Sequence, residues 1–162
     1  MQSTRQGKAH VFGDNINTDI ITPPQYMELS PREGAQYAMS SVDPDFVSRM
    51  EPGDIVVAGN NFGSGSSREL APLSLKYLNV GAIVAKSFAR IFYRNAINLG
   101  LPVVECAEVD KIAPGNALVL DFIAGTITNR TKNETYPCST LPAHILELVQ
   151  AGGLIEMLKK NN

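Results

Sequence analysis

The stretch DIVVAGNNFGSGSSRELAPLSLKYLNVGAIVAKSFARIFYRNAINLGLPVVEC, residues 54–106, decides the fold class. It holds three short apolar runs, rich in β-branched residues, that are typical of buried strands: 54–58, 82–85 and 101–106. Two helical patterns separate these runs, the first reaching about Tyr77 and the second covering 89–98. Strands and helices that alternate in this way are typical of parallel crossover units, so the stretch predicts an α/β fold.

The flanking sequence adds shorter elements on both sides. Upstream, we expect a strand, a turn, an extended loop and one or two short helices: 9–12, 13–15, 17–24 and 30–50. The loop is expected because the paired prolines Pro23 and Pro24 are incompatible with a helix. Downstream, we expect two strands and a helical tail broken at Gly152-Gly153: 117–122, 126–129 and 141–160. The sequence thus predicts one α/β domain with a mixed sheet, spanning residues 1–162.

Composition narrows the classes of function. The formal net charge is -2 and no basic stripe stands out, so nothing indicates nucleic-acid binding. No apolar run approaches the roughly 20 residues that a membrane span needs. The first residues lack the apolar core of a signal peptide, and we therefore expect a cytoplasmic chain.

Cys106 and Cys138 are the two cysteines of the chain, and they form no CxxC pair. Two thiolates are too few for an ordinary four-thiolate iron–sulfur cluster, so we expect both cysteines to be free and structural. No metal site is predicted. The sequons that begin at Asn129 and Asn133 are interpreted as turn chemistry.

The glycine–serine segment Gly63-Ser-Gly-Ser-Ser-Arg-Glu69 lies between a predicted strand and a predicted helix. Gly63 and Gly65 permit positive φ and let several N–H groups point at one spot, where the start of the helix also favours an anion. Arg68 adds a planar set of donors that suits a carboxylate, and Ser66 and Ser67 add hydroxyl groups. The segment predicts a carboxylate site with a serine nucleophile or base.

A purely structural interpretation of the same segment is a capping box. Ser66 and Glu69 have the S-x-x-E spacing in which two side chains cap the start of a helix. Pro72 would then lie far enough inside the helix to kink it, which favours a helix that begins nearer Glu69. Spacing alone leaves the carboxylate site and the cap open. A phosphate-binding P-loop is disfavoured, because its lysine motif is absent.

Three blocks of the sequence together resemble the aconitase C-terminal (swivelling) domain family: Gly13–Pro23, Gly59–Glu69 and Lys86–Asn95. They occur in the family's order and spacing, and the similarity extends over nearly the whole chain. The resemblance implies a swivelling β/β/α domain. The short chain matches the detached small subunit of a two-subunit, aconitase-type hydro-lyase, which is active only with its large subunit.

The resemblance also implies a reaction and roles for individual residues. The family dehydrates a hydroxy-di- or tricarboxylate and rehydrates it with the hydroxyl moved to the neighbouring carbon. Ser66 matches the serine that takes and returns the carbon-bound proton, Ser67 and Arg68 match residues that hold a substrate carboxylate, and Asp19 matches a supporting acidic residue. The 4Fe-4S cluster is expected in the large subunit, with no cofactor on this chain.

Two positions depart from the family pattern. Ser64 stands where a cysteine is common, and Leu70 stands where histidine or glutamine is common. Leu70 removes a polar group beside the expected carboxylate site, which affects the surroundings of the site more than its catalytic assignment.

In this family a loop after the first block helps to choose the substrate, and here it comprises Tyr26, Met27, Glu28 and Leu29. Met27 and Leu29 suit an alkyl group, whereas Glu28 has the wrong sign for a third carboxylate. Arg32 lies close enough in sequence to weaken that argument, and both apolar residues would be explained equally well by inward packing. Isopropylmalate is therefore the favoured substrate, with homoaconitate and methylated malates as alternatives.

Functions of other classes remain open from the sequence. The chain would also fit a carboxylate-binding or regulatory module without turnover, or an interaction domain whose Ser66 and Arg68 only cap a helix. Other residues receive structural interpretations: Arg90 and Arg94 share an exposed or interface face, Phe88 and Tyr93 belong to the core, and His10 and His144 do no chemistry.

Overall fold

The structure is a computed structural model that describes residues 3–65 and 69–160. Its strands are β1 (Thr4–Val11), β2 (Ile55–Ala58), β3 (Ala82–Ala85), β4 (Val103–Glu105), β5 (Ala117–Asp121), β6 (Thr126–Asn129) and β7 (Glu134–Pro137). Its α-helices are α1 (Thr18–Ile21), α2 (Pro31–Gly34), α3 (Phe46–Arg49), α4 (Leu70–Tyr77), α5 (Arg90–Asn98), α6 (Ala143–Ala151) and α7 (Leu154–Lys160). Short 3-10 helices cover Pro24–Tyr26, Ala35–Tyr37 and Val109–Lys111.

The strands of the described residues form one seven-stranded sheet in the order β4-β3-β2-β1-β5-β6-β7. Strands β1 to β4 are parallel, whereas β5 to β7 pair antiparallel with β1 and with one another. We call these the parallel half and the antiparallel half. Strand β1 belongs to both, because Ala9 faces Ile55 of β2 while Lys8 faces Ala117 of β5. The predicted α/β fold with a mixed sheet is confirmed.

The two halves bury their strands differently. Every residue of β2 and β3 is buried, as expected for parallel strands that carry packing on both faces. In β5 and β6, buried and half-buried residues alternate, so that Leu118, Leu120 and Ile127 point into the core while their neighbours lie nearer the surface. The continuous apolar runs and the alternating runs of the sequence therefore belong to different parts of one sheet.

Two strands of the antiparallel half depart from the sequence prediction. Strand β1 begins at Thr4 rather than Ala9, because its polar first residues pair with β5, where Thr4 faces Asp121. Strand β7 was not predicted at all. It is a mostly exposed edge strand, and Asn133, with a φ of 58°, lies in the turn that precedes it. The turn interpretation of that sequon is confirmed.

The extended loop predicted for residues 17–24 is wrong. Helix α1 occupies this stretch, and the side chain of Asn17 caps its start by accepting a hydrogen bond from the N–H of Ile20 at 2.9 Å. The prolines follow the helix instead of interrupting it, and Pro24 starts a 3-10 helix in a position that proline favours. The short helices predicted between residues 30 and 50 are confirmed.

Helix α4 begins at Leu70, with Glu69 at the N-cap position and no side-chain cap there. A capping box would need Glu69 three positions inside the helix, so the capping-box interpretation is wrong. Pro72 lies in the first turn, where its missing N–H costs no intrahelical hydrogen bond. The expected start near Glu69 is confirmed.

The carboxyl-terminal tail consists of α6 and α7, separated by Gly152 and Gly153 as predicted. Both glycines have positive φ, and Gly152 ends α6 in the left-handed conformation that favours glycine. Within residues 3–65 and 69–160, no helix is both long and apolar enough to cross a bilayer.

Candidate active site

Three chain segments meet at the carboxyl edge of the parallel half. The first segment (residues 13–22) follows β1, the second segment (residues 59–65) follows β2, and the third segment (residues 86–89) follows β3. Neighbouring parallel strands end at the same edge of a sheet, which brings the chain that leaves them together. The three sequence blocks that are far apart along the chain thus begin side by side.

Backbone hydrogen bonds tie the first segment to the second. The N–H of Asn15 donates to the carbonyl of Asn60, and the N–H of Gly63 donates to the carbonyl of Ile16, both at 2.8 Å. Further along, the N–H of Thr18 donates to the carbonyl of Ser64 at 2.8 Å. These hydrogen bonds hold α1 against the second segment.

The third segment joins the second from its other side. The N–H of Phe62 donates to the carbonyl of Ser87 at 3.0 Å, and the N–H of Ala89 donates to the carbonyl of Phe62 at 2.9 Å. The Ser87 hydroxyl also accepts a hydrogen bond from the N–H of Asn61 at 2.8 Å. The second segment is therefore held on both sides before the chain enters residues 66–68.

Gly63 and Gly65 both have positive φ, of +85° and +113°, as the sequence predicted. A Cβ on Gly63 would overlap with the ring of Phe92 on α5. A Cβ on Gly65 would lie 2.9 Å from the hydroxyl oxygen of Thr18. The two glycines therefore provide both the turn and the close approach to α1 and α5.

Ser66, Ser67 and Arg68, the residues predicted to carry proton transfer and carboxylate binding, lie outside the described residues. Their roles stay predictions. The described chain resumes at Glu69 and enters α4 at Leu70.

A cavity of about 240 Å³ opens beside α1 and the start of α4. Its lining combines polar residues of α1 and its C-cap with apolar residues of the loop and of α4: Thr18, Asp19, Thr22, Pro24, Met27, Leu70 and Ala71. Asp19, predicted from the resemblance, thus lies in one cavity with Met27 of the predicted specificity loop. Sequence reasoning missed Thr18 and Thr22, because their shared face exists only once residues 18–21 form a helix.

The predicted specificity loop divides into residues with different surroundings. Met27 lines the cavity and is 37% exposed, and Leu29 is 39% exposed, so the interpretation that both merely pack inward is wrong. Tyr26 stacks on Tyr37 with ring centroids 3.9 Å apart, which fixes the loop against the next helical turn. Glu28 is exposed.

The arginine nearest the loop points elsewhere. The guanidinium carbon of Arg32 lies 4.4 Å from the ring centroid of Tyr77, at the far end of α4 from Leu70. In the sequence, the positive charge of Arg32 weakened the argument against a substrate with a third carboxylate. In the structure, this charge is engaged in a cation–π contact with Tyr77.

The histidines lie apart from the cavity. His10 is buried on β1, and its Nε2 lies 2.8 Å from a carboxylate oxygen of Asp54, which precedes β2 at the opposite end from the second segment. Burial by itself would raise the pKa of Asp54. Hydrogen bonds from His10 and from the backbone N–H groups of Glu51 and Lys8 outweigh burial, and the pKa is lowered. His144 is exposed on α6.

The predicted core role of Phe88 and Tyr93 is confirmed. Phe88 packs edge-on against Phe62 with ring centroids 5.9 Å apart, and Tyr93 packs against Phe88 at 6.0 Å. Burial, and secondarily the charge of Glu105, raises the pKa of Tyr93, which keeps its phenol protonated. Arg90 and Arg94 are exposed on α5, as the shared-face interpretation requires.

Cys106 is buried, Cys138 is half-buried, and both are free thiols, as predicted. Burial raises the pKa of both thiols and, with the nearby Cys106 and Asp121, raises that of Cys138 to about 11. Two cysteines are too few for an ordinary four-thiolate iron–sulfur cluster. In the described part of the chain, no group of three or more His, Cys, Asp or Glu side chains is placed to hold a metal ion.

Comparison with known proteins identifies the family. Residues 11–108, which include all three blocks, match the aconitase C-terminal domain. The chain is 51% identical over 156 residues to the 3-isopropylmalate dehydratase small subunit of Methanosarcina mazei, with 96% of both chains covered. The chain belongs to the aconitase C-terminal domain family, in the branch of 3-isopropylmalate dehydratase small subunits.

Further relatives agree with this placement. The small subunit of Caldicellulosiruptor saccharolyticus is 49% identical over 156 residues, covering 95% of this chain and 90% of its own. The crystal structure of 3-isopropylmalate dehydratase from Methanocaldococcus jannaschii superposes with a TM-score of 0.91 at 43% identity, covering 98% of this chain and 95% of that one. Aconitase X of Thermococcus kodakaraensis, at a TM-score of 0.51 and 16% identity, shares the fold alone. The predicted family and the hydro-lyase class are confirmed.

Proposed function

We propose that this chain, together with a separate large subunit, interconverts 2-isopropylmalate and 3-isopropylmalate by dehydration and rehydration, a reaction of leucine biosynthesis. The relatives named above as 3-isopropylmalate dehydratase small subunits support the reaction. The observation that carries the choice of substrate is the cavity, whose lining combines an apolar side, formed by Met27 and Leu70, with polar residues of α1.

The apolar side suits an isopropyl group. This group has the shape of a valine side chain, and burying it contributes about 1.5–3 kcal/mol. Leu70, which departs from the polar residue common in the family, adds to the apolar surface that Met27 provides. A methylated malate would fill less of that surface and gain less from it.

A tricarboxylate of the homoaconitate type fits less well. Its third carboxylate needs a cation or several donors, because an unpaired buried charge is costly. The described lining of the cavity contains no cation, Arg32 is held over Tyr77, and Glu28 adds a negative charge to the loop. These charges favour isopropylmalate over homoaconitate.

In the proposed mechanism, Ser66 removes the proton from the substrate carbon next to the one that bears the hydroxyl. The C–O bond breaks as the double bond forms, and the hydroxyl leaves towards the large subunit, where the proposal also places the 4Fe-4S cluster. Water then adds in the reverse sense on the neighbouring carbon, and Ser66 returns its proton. A serine is a very weak base, so this role requires fixed donors around its oxygen.

The chain flanking Ser66 supports this assignment. Gly65 lies against Thr18 of the cavity and Leu70 lines the same cavity, and Ser66 stands between these two residues in the sequence. In the proposal Ser67 and Arg68 bind a substrate carboxylate, and Asp19 supports the site from α1.

Assembly with a large subunit accounts for apolar side chains around the cavity. Met27, Leu29 and Tyr37 are each between 37% and 40% exposed. Covering such a surface removes apolar area from water and closes the reaction from solvent. We place the enzyme in the cytoplasm, consistent with its two free cysteines, and expect no nucleic-acid or membrane partner.

The test is reconstitution of the chain with its large subunit under anaerobic conditions. We expect hydro-lyase activity only with both subunits, and kcat/KM highest for isopropylmalate among isopropylmalate, homocitrate and a methylated malate. Binding of these acids without any turnover would make the chain a carboxylate-binding module instead. A preference for homocitrate would contradict the substrate assignment and leave the reaction class intact.

A further inference from the structure

The hydroxyl of Thr22 is buried without a hydrogen-bond partner. Thr22 is 7% exposed, and within residues 3–65 and 69–160 its Oγ1 is the buried side-chain polar atom that finds no partner. Buried hydroxyls are nearly always paired, so an orphaned one calls for a physical explanation. Thr22 is also one of the residues that line the 240 Å³ cavity, which makes a bound ligand the natural partner.

The position of Thr22 is fixed by its backbone. It is the C-cap residue of α1, and its N–H donates to the carbonyl of Thr18 at 2.8 Å. The start of α1 is in turn held by the Asn17 cap and by the hydrogen bond from Thr18 to Ser64. The hydroxyl is thus carried on backbone anchored to the second segment, the kind of support that a binding group needs.

The chemistry of the cavity selects the ligand atom. An ionised Asp19 accepts hydrogen bonds and donates none, whereas a threonine hydroxyl donates one. The substrate offers carboxylate oxygens, which form shorter and stronger hydrogen bonds than neutral acceptors do. A carboxylate oxygen is therefore the group that best satisfies the Thr22 hydroxyl.

The substrate also has a particular geometry. In both 2-isopropylmalate and 3-isopropylmalate, the isopropyl group and one carboxylate are attached to the same carbon atom. The lining of the cavity likewise combines the apolar Met27 and Leu70 with Thr22, whose buried hydroxyl has no other partner in the described part of the chain. The substrate thus combines an alkyl group with a carboxylate, and the cavity combines apolar side chains with a hydroxyl donor.

We propose that Thr22 donates a hydrogen bond to the carboxylate on the isopropyl-bearing carbon of the substrate. This proposal rests on the proposed function and adds a substrate-binding residue to it. In this proposal Thr22 positions the carbon whose isopropyl group contacts Met27 and Leu70. The cavity then recognises the isopropyl group and the carboxylate of that carbon together.

Thr22→Val tests the proposal, because valine keeps the shape of threonine and removes the hydroxyl. In the reconstituted complex we expect KM for isopropylmalate to rise roughly tenfold or more, the usual loss for a hydrogen bond to a charged group, with kcat changed little. The melting temperature of the variant chain should equal or exceed that of the wild type, because an unpaired buried hydroxyl is deleted. Thr22→Ser should restore KM. Thr135→Val, the same change on exposed β7, is the matched control.

A second measurement identifies the substrate group. It uses an inhibitor that carries a carboxamide in place of the carboxylate on the isopropyl-bearing carbon. In the wild type, replacing the acid by this amide should weaken binding. In Thr22→Val, the same replacement should weaken binding less, because the hydrogen bond to that carboxylate is already lost. An unchanged KM in Thr22→Val, beside an active wild type, overturns the inference alone. So does a raised KM that accompanies a lower melting temperature, or one that Thr22→Ser fails to restore. A wild-type complex that is inactive on isopropylmalate overturns the proposed function as well.

Discussion

The parallel and antiparallel halves share one sheet and differ in what happens where their strands end. Strands β1, β2 and β3 release three chain segments at one edge, and hydrogen bonds join these segments into the candidate site. Strands β5, β6 and β7 are joined by tight turns, at 122–125 and 130–133, that return the chain directly into its neighbour. Crossover connections gather sequence-distant residues at a strand edge, whereas hairpins do not. Function is therefore expected in the parallel half and stability alone in the antiparallel half.

Two glycines with nearly equal φ provide the strongest test of this difference. Gly63 has a φ of +85° and Gly115, just before β5, has a φ of +84°. Added at Gly63, a Cβ overlaps with the Phe92 ring, whereas at Gly115 it meets nothing within 4 Å. Gly63→Ala should lower the free energy of unfolding by about 2–5 kcal/mol, from backbone strain plus overpacking. Gly115→Ala should cost about 1–2 kcal/mol, from strain alone.

Urea denaturation of the two variants measures both effects. Activity of the reconstituted complex should fall in Gly63→Ala and persist in Gly115→Ala. Equal losses of stability in the two variants would contradict the close packing of Gly63 against Phe92.

The apolar side of the cavity gives a prediction of intermediate size. Met27→Lys removes an apolar contact and brings a cation to the cavity, so kcat/KM for isopropylmalate should fall about tenfold. The ratio of kcat/KM for homocitrate to that for isopropylmalate should rise, because lysine offers a partner to a third carboxylate. Ile123→Lys is the control in the antiparallel half, since Ile123 is 65% exposed in the turn after β5. It should leave both values unchanged, and a similar change in both variants would contradict the specificity role.

The smallest effect is expected at the amino end of the parallel half, where Asp54 pairs with His10. The folded state lowers the pKa of Asp54, so its contribution to stability is present above the unfolded value of about 3.9 and is lost as the pH falls through the folded pKa. Asp54→Asn should therefore be less stable than the wild type at neutral pH, and the gap should narrow below about pH 4. Urea midpoints measured from pH 7 to pH 3 report this.

Asp54→Asn should leave kcat of the reconstituted complex unchanged, since the pair lies at the opposite end of β2 from the second segment. A large loss of kcat without a loss of stability would contradict this and would indicate that the Asp54–His10 pair takes part in the reaction.

The parallel half was largely predictable from the sequence, and the antiparallel half was less so. Strands β2 and β3 are continuous apolar runs, a signal that depends on burial on both faces. Strand β7 carries no such signal, because its residues are mostly exposed and gain their conformation from pairing with β6. An edge strand of this kind is decided by tertiary pairing and not by its own composition.

The site was predictable in its motifs and not in its surroundings. The glycine conformations followed from the sequence, because positive φ at Gly63 and Gly65 is a local property. The place of Thr22 in the cavity depends on α1, a helix that the sequence did not predict because the proline rule was applied to residues ahead of the prolines. Local rules identify turns, and only the assembled fold shows which side chains share a cavity.

The most direct test of the central claim compares two serine variants in the reconstituted complex, one at the proposed catalytic serine and one at a serine with a structural hydrogen bond. Ser66→Ala should lower kcat by about 10²–10⁴-fold, the usual contribution of a positioned proton-transfer group, with the melting temperature nearly unchanged. Ser139→Ala removes a hydroxyl that accepts a hydrogen bond from the N–H of Glu105 at 2.8 Å, and should lower stability by about 1 kcal/mol with kcat preserved. Near-normal turnover in Ser66→Ala would contradict the account of the site.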